Sequence, residues 1–221
     1  DYVVGHSVGE FAAIAAANSI DTSEAIGLVR ERGLAMAEAA RESDGTMAAI
    51  LGLDDEVVEE LCAEIEGVWP ANYNCPGQIV VSGEEGAVEK LIHKATALGA
   101  RRAVKLKVSG AFHSPLVEKA AEMLKPAVER VRFADPVAPF MSTVTAKIEP
   151  AQRMAGLLVN QVTAPVKFTQ AAQGLVKEGV KTFVEVGPGN VLSGLLKRID
   201  KTVKAVSVNN VAGLKKVEDS I

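Results

Sequence analysis

The sequence is poor in cysteine and lacks both long apolar runs and an excess of positive charge. Its two cysteines, Cys62 and Cys75, are too few for a disulfide framework and predict free thiols in a reducing compartment, which we expect to be the cytoplasm. No Cys/His cluster has the spacing of metal ligands, so we expect no metal site. No apolar run approaches the roughly 18 to 20 residues of a membrane span, and no basic segment precedes an apolar one as in a signal peptide.

The composition indicates a globular protein and argues against general nucleic-acid binding. The net charge of −4 argues against a nucleic-acid partner, although local basic patches are compatible with it. Hydrophobic residues make up 48% of the chain, which is enough for a sizeable core. The length of 221 residues suits one large domain or a domain with an insertion.

The first ten residues carry the most informative pattern. A short apolar run, residues 2–4, meets the sequence Gly-x-Ser-x-Gly at residues 5–9 and then an Ala-rich helical segment. Strand, sharp turn and helix are the context that a nucleophile elbow requires. The two glycines let strand and helix cross closely, so that Ser7 lies at the tip and the Val8 N–H is free at the helix N-terminus. Ser7 is therefore predicted to be a nucleophile.

The rest of the chain alternates strand-like and helix-like segments, which predicts an α/β protein with a mostly parallel sheet. Between residues 45 and 109 the order becomes β-α-β-β-α-β, the split βαβ or ferredoxin-like unit. We therefore predict a large α/β domain made of residues 1–44 and 110–221. The ferredoxin-like subdomain, residues 45–109, would be inserted on one side of it.

Three further boundaries follow from the pattern. The last strand of the insert is expected over residues 101–108. Ser114 and Pro115 are expected to open a helix that reaches about residue 131, since proline fits the first turn of a helix. A short tail is expected after Val208, the end of the last predicted strand.

A serine nucleophile needs a base, and the chain has three histidines. His6 lies before the turn, so its side chain should point to the other side of the strand. His93 lies on a predicted helix beside Lys94 and is expected to be solvated. His113 lies in a small-residue loop that returns from the insert to the large domain. His113 is the predicted base, and a structural hydrogen bond is the alternative role.

Five ordered motifs resemble the malonyl-CoA:acyl carrier protein transacylases, the acyltransferases that load malonyl units in fatty acid synthesis. Together they cover essentially the whole chain, with the insert between the serine and the histidine as in that family. The resemblance implies a hydrolase-like large domain. The motifs are Gly5-His6-Ser7-Val8-Gly9-Glu10, Arg32-Gly33, Gly110-Ala111-Phe112-His113-Ser114, Asn160-Gln161 followed by Pro165-Val166, and Glu185-Val186-Gly187-Pro188-Gly189.

The resemblance assigns roles to four of these residues. Ser7 would be acylated, and His113 would act first as general base and then as general acid. A main-chain carbonyl near Gln161 would orient the imidazole. The Val8 N–H would donate to the oxyanion.

Asp54 and Asp55 offer an alternative third member for the pair of Ser7 and His113. Either aspartate would satisfy the order Ser…Asp…His of α/β-hydrolases. Both, however, begin the first predicted helix of the insert, where acidic residues complement the helix dipole. We expect neither to contact His113.

Substrate selection is assigned to Arg32 and Phe112 by the resemblance. From its neighbours Arg30, Glu31 and Glu38 alone, Arg32 would be interpreted as a surface or salt-bridged arginine. The resemblance instead implies that Arg32 binds the malonyl carboxylate, which a planar guanidinium grips through two parallel hydrogen bonds. Phe112 matches the form associated with selection of malonyl over methylmalonyl, although a loop phenylalanine is commonly part of the core.

The implied reaction transfers malonyl from malonyl-CoA to Ser7 and then to the phosphopantetheine thiol of acyl carrier protein. Two displacements through a covalent intermediate predict ping-pong kinetics. The reaction needs no cofactor, and the chain is expected to act as a monomer. Its carrier-protein partner is expected to be acidic and to dock on a basic patch. The candidate residues are Lys94, Arg101, Arg102, Lys105, Lys107, Lys197 and Arg198.

Other functions stay open. An acyltransferase domain of a polyketide synthase would carry the same motifs, although the short tail after Val208 favours a free-standing enzyme. A serine thioesterase that acts on uncharged acyl groups would have no use for Arg32. A binding relative would not need to keep Ser7, Arg32, His113 and Gln161 together. The Gly-Gln-Gly segment that supplies the family's second oxyanion donor is absent, so we expect an N-terminal truncation and low activity and stability of this chain.

Overall fold

The structure, a computed structural model, describes residues 1–218. It opens with a two-residue strand, β1 (Val3–Val4), that turns sharply into helix α1 (Gly9–Ala16). A Cβ on Gly5 would lie 2.1 Å from the main-chain carbonyl carbon and oxygen of Gly9, so only glycine fits this crossing. The long helix α2 (Thr22–Glu42) follows.

The next six elements form one antiparallel sheet with two helices packed against it. The strand order is β3-β4-β2-β5, and every neighbouring pair is antiparallel. The two helices bury Val58, Leu61, Val88 and Leu91 against the sheet. The predicted ferredoxin-like arrangement is confirmed, whereas its division from the large domain at residues 45 and 109 stays a prediction. The elements are β2 (Gly45–Leu51), α3 (Asp55–Glu64), β3 (Val68–Cys75), β4 (Gln78–Glu84), α4 (Glu85–Ala97) and β5 (Arg102–Lys105).

The remaining strands form two small sheets. In the first sheet β1 pairs in parallel with β6, and β6 pairs antiparallel with β7; in the second, β8 and β9 are parallel. Within the described residues, two of these three strand pairs are parallel, as an α/β protein requires. The elements of this part are α5 (Glu118–Glu129), β6 (Phe140–Ser142), β7 (Lys147–Glu149), α6 (Ala151–Asn160), α7 (Phe168–Lys177), β8 (Thr182–Val186), α8 (Val191–Ile199), β9 (Lys204–Val208) and α9 (Val211–Glu218).

Two apolar cores support the large domain. In the first, Phe11 of α1, Leu124 of α5 and Met154 of α6 are completely buried. In the second, Phe168 of α7 and Phe183 of β8 are buried beside α8. The Val166 main chain bonds to β3 between these cores, with its oxygen 2.9 Å from the Tyr73 nitrogen. The segment after Gln161 therefore runs along the four-stranded sheet.

Two of the three predicted boundaries need correction. Strand β5 ends at Lys105 because its pairing with β2 covers only four residues, and Lys107 beyond it is exposed. The helix expected from residue 115 to 131 begins as a 3₁₀ turn, Pro115–Val117, and becomes α5 from Glu118 to Glu129. The last strand, β9, ends at Val208 as predicted, and the tail after it contains α9, whose start is capped by the Asn210 side chain.

Neither a membrane span nor a metal cluster is found among residues 1–218. No helix in this range is long and apolar enough to cross a membrane. No group of three or more His, Cys, Asp or Glu side chains in it is arranged to hold a metal ion. Cys62 and Cys75 are both buried free thiols.

Candidate active site

Ser7 lies at the turn between β1 and α1 in a strained conformation. Its φ angle is 53°, in the left-handed region that residues other than glycine seldom adopt. The turn is closed by two main-chain hydrogen bonds, from Gly9 N to His6 O at 2.9 Å and from Glu10 N to Ser7 O at 3.0 Å. This geometry is the one that the Gly-x-Ser-x-Gly pattern predicts for a nucleophile elbow.

His113 contacts Ser7 directly. The distance from Ser7 Oγ to His113 Nε2 is 2.8 Å. The other ring nitrogen, Nδ1, lies 2.8 Å from the carbonyl oxygen of Gln161 and 3.2 Å from that of Ala164. Because a carbonyl can only accept, Nδ1 carries the proton and Nε2 is free to accept from the serine hydroxyl.

The environment keeps His113 neutral. The imidazole is buried, and burial lowers its pKa to about 4, with a further contribution from the positive charge of Arg32. At neutral pH the ring is therefore unprotonated at Nε2 and able to take a proton from Ser7. Among the hydrogen bonds of the described chain, none joins His113 to a carboxylate. Asp54 and Asp55 lie at the start of α3, as expected.

Arg32 reaches the same serine from α2. Its side chain is only 6% exposed, and Nη2 donates to Ser7 Oγ at 2.9 Å. Burial lowers the Arg32 pKa to about 10, partly opposed by the carboxylate of Glu10, so the guanidinium stays charged at neutral pH. Its Nε is buried without a hydrogen-bond partner among residues 1–218. The interpretation of Arg32 as a surface arginine is wrong, because α2 turns this position towards the site.

Gln161 connects His113 to a buried carboxylate that the sequence did not single out. The main-chain oxygen of Gln161 accepts from His113, while its side-chain Nε2 donates to Glu10 Oε2 at 2.9 Å. Glu10 is completely buried on the first turn of α1. In the sequence, Glu10 stands out only as an acidic residue next to Phe11 in an otherwise apolar helical segment. The family resemblance assigns it no role.

Val8 and Phe112 flank the site without contacting Ser7 Oγ through a hydrogen bond. The Val8 N–H precedes the first residue of α1, among the groups that have no partner inside a helix. The Phe112 ring is half-buried and packs against the helical core and against the cluster of Met47, Ala71 and Val80. Their roles in oxyanion binding and acyl selection stay predictions.

The other two histidines lie outside the site, as expected. His6 Nε2 is 2.9 Å from Asn74 Oδ1, and the His6 ring packs on Phe168 with their centroids 5.4 Å apart. Burial lowers its pKa. His93 is exposed on α4. Neither is within hydrogen-bond distance of Ser7 in the described structure.

The neutral imidazole of His113 and the buried guanidinium of Arg32 therefore both lie within hydrogen-bond distance of Ser7 Oγ. Ser7 itself is held in a strained conformation. The family model of the acyl transferase domain matches residues 1–220. The chain belongs to the acyl transferase domain family. The predicted family and the prediction of an acyltransferase are both confirmed.

Similar proteins align with almost the whole length of this acyltransferase. The malonyl CoA-acyl carrier protein transacylase of Staphylococcus aureus (strain MRSA252) is 38% identical over 220 residues, which are 97% of this chain and 71% of that protein. The acyl-carrier-protein S-malonyltransferase of Bartonella henselae has a TM-score of 0.95 at 38% identity, over 100% of this chain and 71% of that chain. A malonyl-transacylase solved with its type II PKS acyl-carrier protein has a TM-score of 0.95 at 39% identity, over 100% and 72%. These similarities confirm the predicted fold class.

Proposed function

We propose that this acyltransferase moves a malonyl group from malonyl-CoA to the phosphopantetheine thiol of an acyl carrier protein in fatty acid biosynthesis. The observation that carries the proposal is the buried Arg32 guanidinium, whose Nη2 lies 2.9 Å from Ser7 Oγ. A buried cation with an unpaired Nε favours an anionic ligand. A carboxylate at the far end of the acyl group would meet that requirement beside the nucleophile.

The first half-reaction loads the serine. His113 Nε2 accepts the Ser7 proton while Ser7 Oγ forms a bond to the thioester carbonyl carbon of malonyl-CoA. The Val8 N–H donates to the oxyanion, a contact whose loss typically costs about a hundredfold to a thousandfold in rate. The carbon–sulfur bond then breaks, and the CoA thiolate takes the proton from His113. The product is a malonyl ester on Ser7.

The second half-reaction reverses these steps with a different thiol. His113 accepts the proton of the phosphopantetheine thiol, and the sulfur of that thiol attacks the ester carbonyl on Ser7. The carbon–oxygen bond breaks, and Ser7 Oγ recovers the proton from His113. A covalent intermediate shared by two acyl acceptors predicts ping-pong kinetics. The steps as proposed use only side chains and main chain of this protein, without a cofactor.

Arg32 supplies the selectivity for malonyl. A charge-assisted hydrogen bond from a guanidinium to a carboxylate contributes about 1.5 to 3 kcal/mol. Since 1.4 kcal/mol is a factor of ten, Arg32 would favour malonyl over acetyl by about tenfold to a hundredfold. Burial of the site strengthens this contact, because little water competes for the guanidinium.

For the carrier protein, Lys107 and Lys197 are the best-supported docking residues of the basic patch. Both are exposed, and Lys197 lines an open groove of about 580 Å³ between α8 and β9. Others of the patch have partners: Lys94 pairs with Glu64, and Lys105 pairs with Glu85. Charge reversal at Lys107 and Lys197 should raise the KM for acyl carrier protein and leave acylation by malonyl-CoA unchanged. An unchanged KM would remove these residues from the proposed interface.

A polyketide acyltransferase is the second candidate, because one similar structure contains a type II PKS acyl-carrier protein. The chemistry is the same, and purified carrier proteins of the two pathways would separate the candidates by kcat/KM. A thioesterase is less well supported, since hydrolysis of uncharged acyl groups gives Arg32 no ligand.

The buried free thiols Cys62 and Cys75 support a cytoplasmic location, where thiols stay reduced.

Intact-mass spectrometry after mixing the protein with malonyl-CoA or acetyl-CoA tests the proposal. We expect a malonyl adduct that is absent in Ser7→Ala, weakened in Arg32→Ala and discharged by added acyl carrier protein. Release of free CoA and free malonate without an adduct would make water the acceptor and favour a hydrolase. The absence of both adduct and CoA release would overturn the proposed activity.

A further inference from the structure

The buried carboxylate of Glu10 is not used in the steps proposed above, yet it joins three separate parts of the site. Glu10 Oε1 accepts from the main-chain nitrogen of Thr143 at 2.7 Å and lies 3.1 Å from the hydroxyls of both Ser142 and Thr143. Glu10 Oε2 accepts from Gln161 Nε2 at 2.9 Å. One side chain thus ties α1 to the β6–β7 turn and to the segment after α6.

Gln161 has two functions in this chain of contacts. Its side chain is held by Glu10, and its main-chain oxygen accepts from His113 Nδ1 at 2.8 Å. The following residue, Val162, accepts from the His113 main-chain nitrogen at 3.1 Å. The position of residues 161–162 therefore fixes both the ring and the backbone of His113. Glu10 is the side chain that links these residues to the helix carrying Ser7.

The hydrogen-bond partners favour the ionised form of Glu10. The Thr143 N–H and the NH₂ group of Gln161 can only donate, and one of them faces each carboxylate oxygen. Burial raises the Glu10 pKa, while the Thr143 donors, the Ser142 hydroxyl and the positive charge of Arg32 oppose that rise. A neutral amide at residue 10 would turn its NH₂ group towards one of these donors. It keeps both attachments only if the Gln161 amide rotates, which buries the Gln161 NH₂ group where the unpartnered Oε1 now lies.

We propose that Glu10 is a positioning residue, whose carboxylate holds Gln161 so that the Gln161 carbonyl keeps the His113 ring in line with Ser7. This inference rests on the proposed acyl transfer by Ser7 and His113. Glu10 and Ser7 lie on one turn of main chain, closed by the 3.0 Å bond from Glu10 N to Ser7 O. The positions of the nucleophile, Ser7, and of the base, His113, therefore both depend on the short segment that contains Ser7 and Glu10. A displacement of about 1 Å between such groups can cost a hundredfold in rate.

Exchanging the charged and neutral partners tests this link. In Gln161→Glu two carboxylates face each other, whereas in Glu10→Gln the Gln161 amide must rotate to accept from the new NH₂ group. The double variant Glu10→Gln with Gln161→Glu restores one donor and one acceptor and keeps the main-chain carbonyl that His113 needs. Glu149→Gln is the matched control, because Glu149 is also buried, at 4% exposure, but pairs with Arg153 on α6.

The rate of Ser7 labelling by an uncharged fluorophosphonate reports on the Ser7–His113 pair without requiring malonyl-CoA. We expect Gln161→Glu to slow labelling about tenfold to a hundredfold, and Glu10→Gln to slow it by less. Acylation by malonyl-CoA should lose kcat to the same degree, with KM unchanged within about twofold because Arg32 is intact. The double variant should recover to within about threefold of the unaltered protein, as coupled partners do. Glu149→Gln should label at the unaltered rate.

The outcomes separate the two proposals. Unchanged labelling in folded Gln161→Glu, or no recovery in a folded double variant, would overturn the positioning role and leave the proposed function standing. An equal loss in Glu149→Gln would also overturn it, since the effect would then follow stability. Normal labelling of the unaltered protein without a malonyl adduct would overturn the proposed function alone. A lack of labelling in the unaltered protein would overturn both.

Discussion

The four-stranded unit, residues 45–105, and the Ser7 cluster, made of Ser7, Glu10, Arg32, His113 and Gln161, are built in opposite ways. The four-stranded unit consists of consecutive elements, with an apolar core between its sheet and its two helices. The hydrogen bonds of the Ser7 cluster join residues 25, 48, 106 and 151 positions apart. None of its members comes from the four-stranded unit.

This difference means that the stability of the fold and the precise positions of the reacting side chains depend on different parts of the molecule. A core of consecutive elements tolerates small shifts, since burial of apolar surface is not directional. The Ser7 cluster depends on hydrogen bonds of 2.8 to 2.9 Å between distant segments, which weaken steeply with geometry. We therefore expect substitutions in the four-stranded unit to change the free energy of unfolding. Those in the Ser7 cluster should change rates in protein that remains folded.

Removing the base should have the largest effect. His113→Ala leaves Ser7 without a proton acceptor, so serine acylation by malonyl-CoA should fall about a hundredfold to ten-thousandfold. Single-turnover acylation followed by mass spectrometry measures this rate. His93→Ala, an exposed histidine on α4, is the control and should acylate normally. Acylation of His113→Ala at the normal rate would assign the proton transfer to another group.

Emptying the core of the four-stranded unit should reduce stability without changing the site. Leu91 is completely buried on α4, and Leu91→Ala should lower the free energy of unfolding by about 2 to 5 kcal/mol. Leu98→Ala on the same helical segment removes the same atoms from a side chain that is 57% exposed, and should cost less than about 0.5 kcal/mol. Urea unfolding measures both, with Ser7 labelling corrected for the folded fraction. A large loss of labelling per folded Leu91→Ala molecule would contradict the separation.

Arg32→Ala should shift the pH dependence of the site. The positive charge of Arg32 is one cause, after burial, that lowers the His113 pKa to about 4. Without that charge the imidazolium is less disfavoured, so the His113 pKa should rise and labelling should reach half of its maximum at a higher pH. Fluorophosphonate labelling between about pH 3.5 and 7 measures the midpoint, which follows the base of the free enzyme. A midpoint that stays or moves to lower pH would contradict the electrostatic coupling.

The smallest effect is expected at Asp54, between β2 and α3 of the four-stranded unit. Asp54 is exposed before α3 and makes no capping hydrogen bond with its side chain. Asp54→Asn should leave acylation within about twofold and stability within about 0.5 kcal/mol. Steady-state kinetics and thermal unfolding check this. A loss of acylation comparable with that of His113→Ala would restore the alternative of an aspartate as third member of the site.

Much of the fold and two of the five residues of the Ser7 cluster, Ser7 and His113, followed from local patterns. The turn at Ser7 is encoded within residues 2–10, because a strand, a small-residue turn and a helix need no distant partner to be recognised. The order of the four-stranded unit followed from alternating segments. His113 was found by elimination among three histidines and by its return to the large domain.

Other features could not be predicted from the residues alone. Arg32 carries the same local signals as the exposed Arg30, and only the packing of α2 buries one and leaves the other in solvent. Glu10 gains its partners from Thr143 and Gln161, more than 130 positions away. The end of β5 was misplaced because it depends on how far β2 remains paired with it.

The sequence by itself determined the elements, the strained turn and the chemical identity of nucleophile and base, since each depends on neighbouring residues and side-chain type. The tertiary structure alone decided which carbonyl holds His113, which arginine faces Ser7 and where the Glu10 carboxylate is anchored. These contacts join segments that meet only when the helices pack. Their energies depend on burial and on distances of about 3 Å. Neither quantity is encoded in a single stretch of the chain.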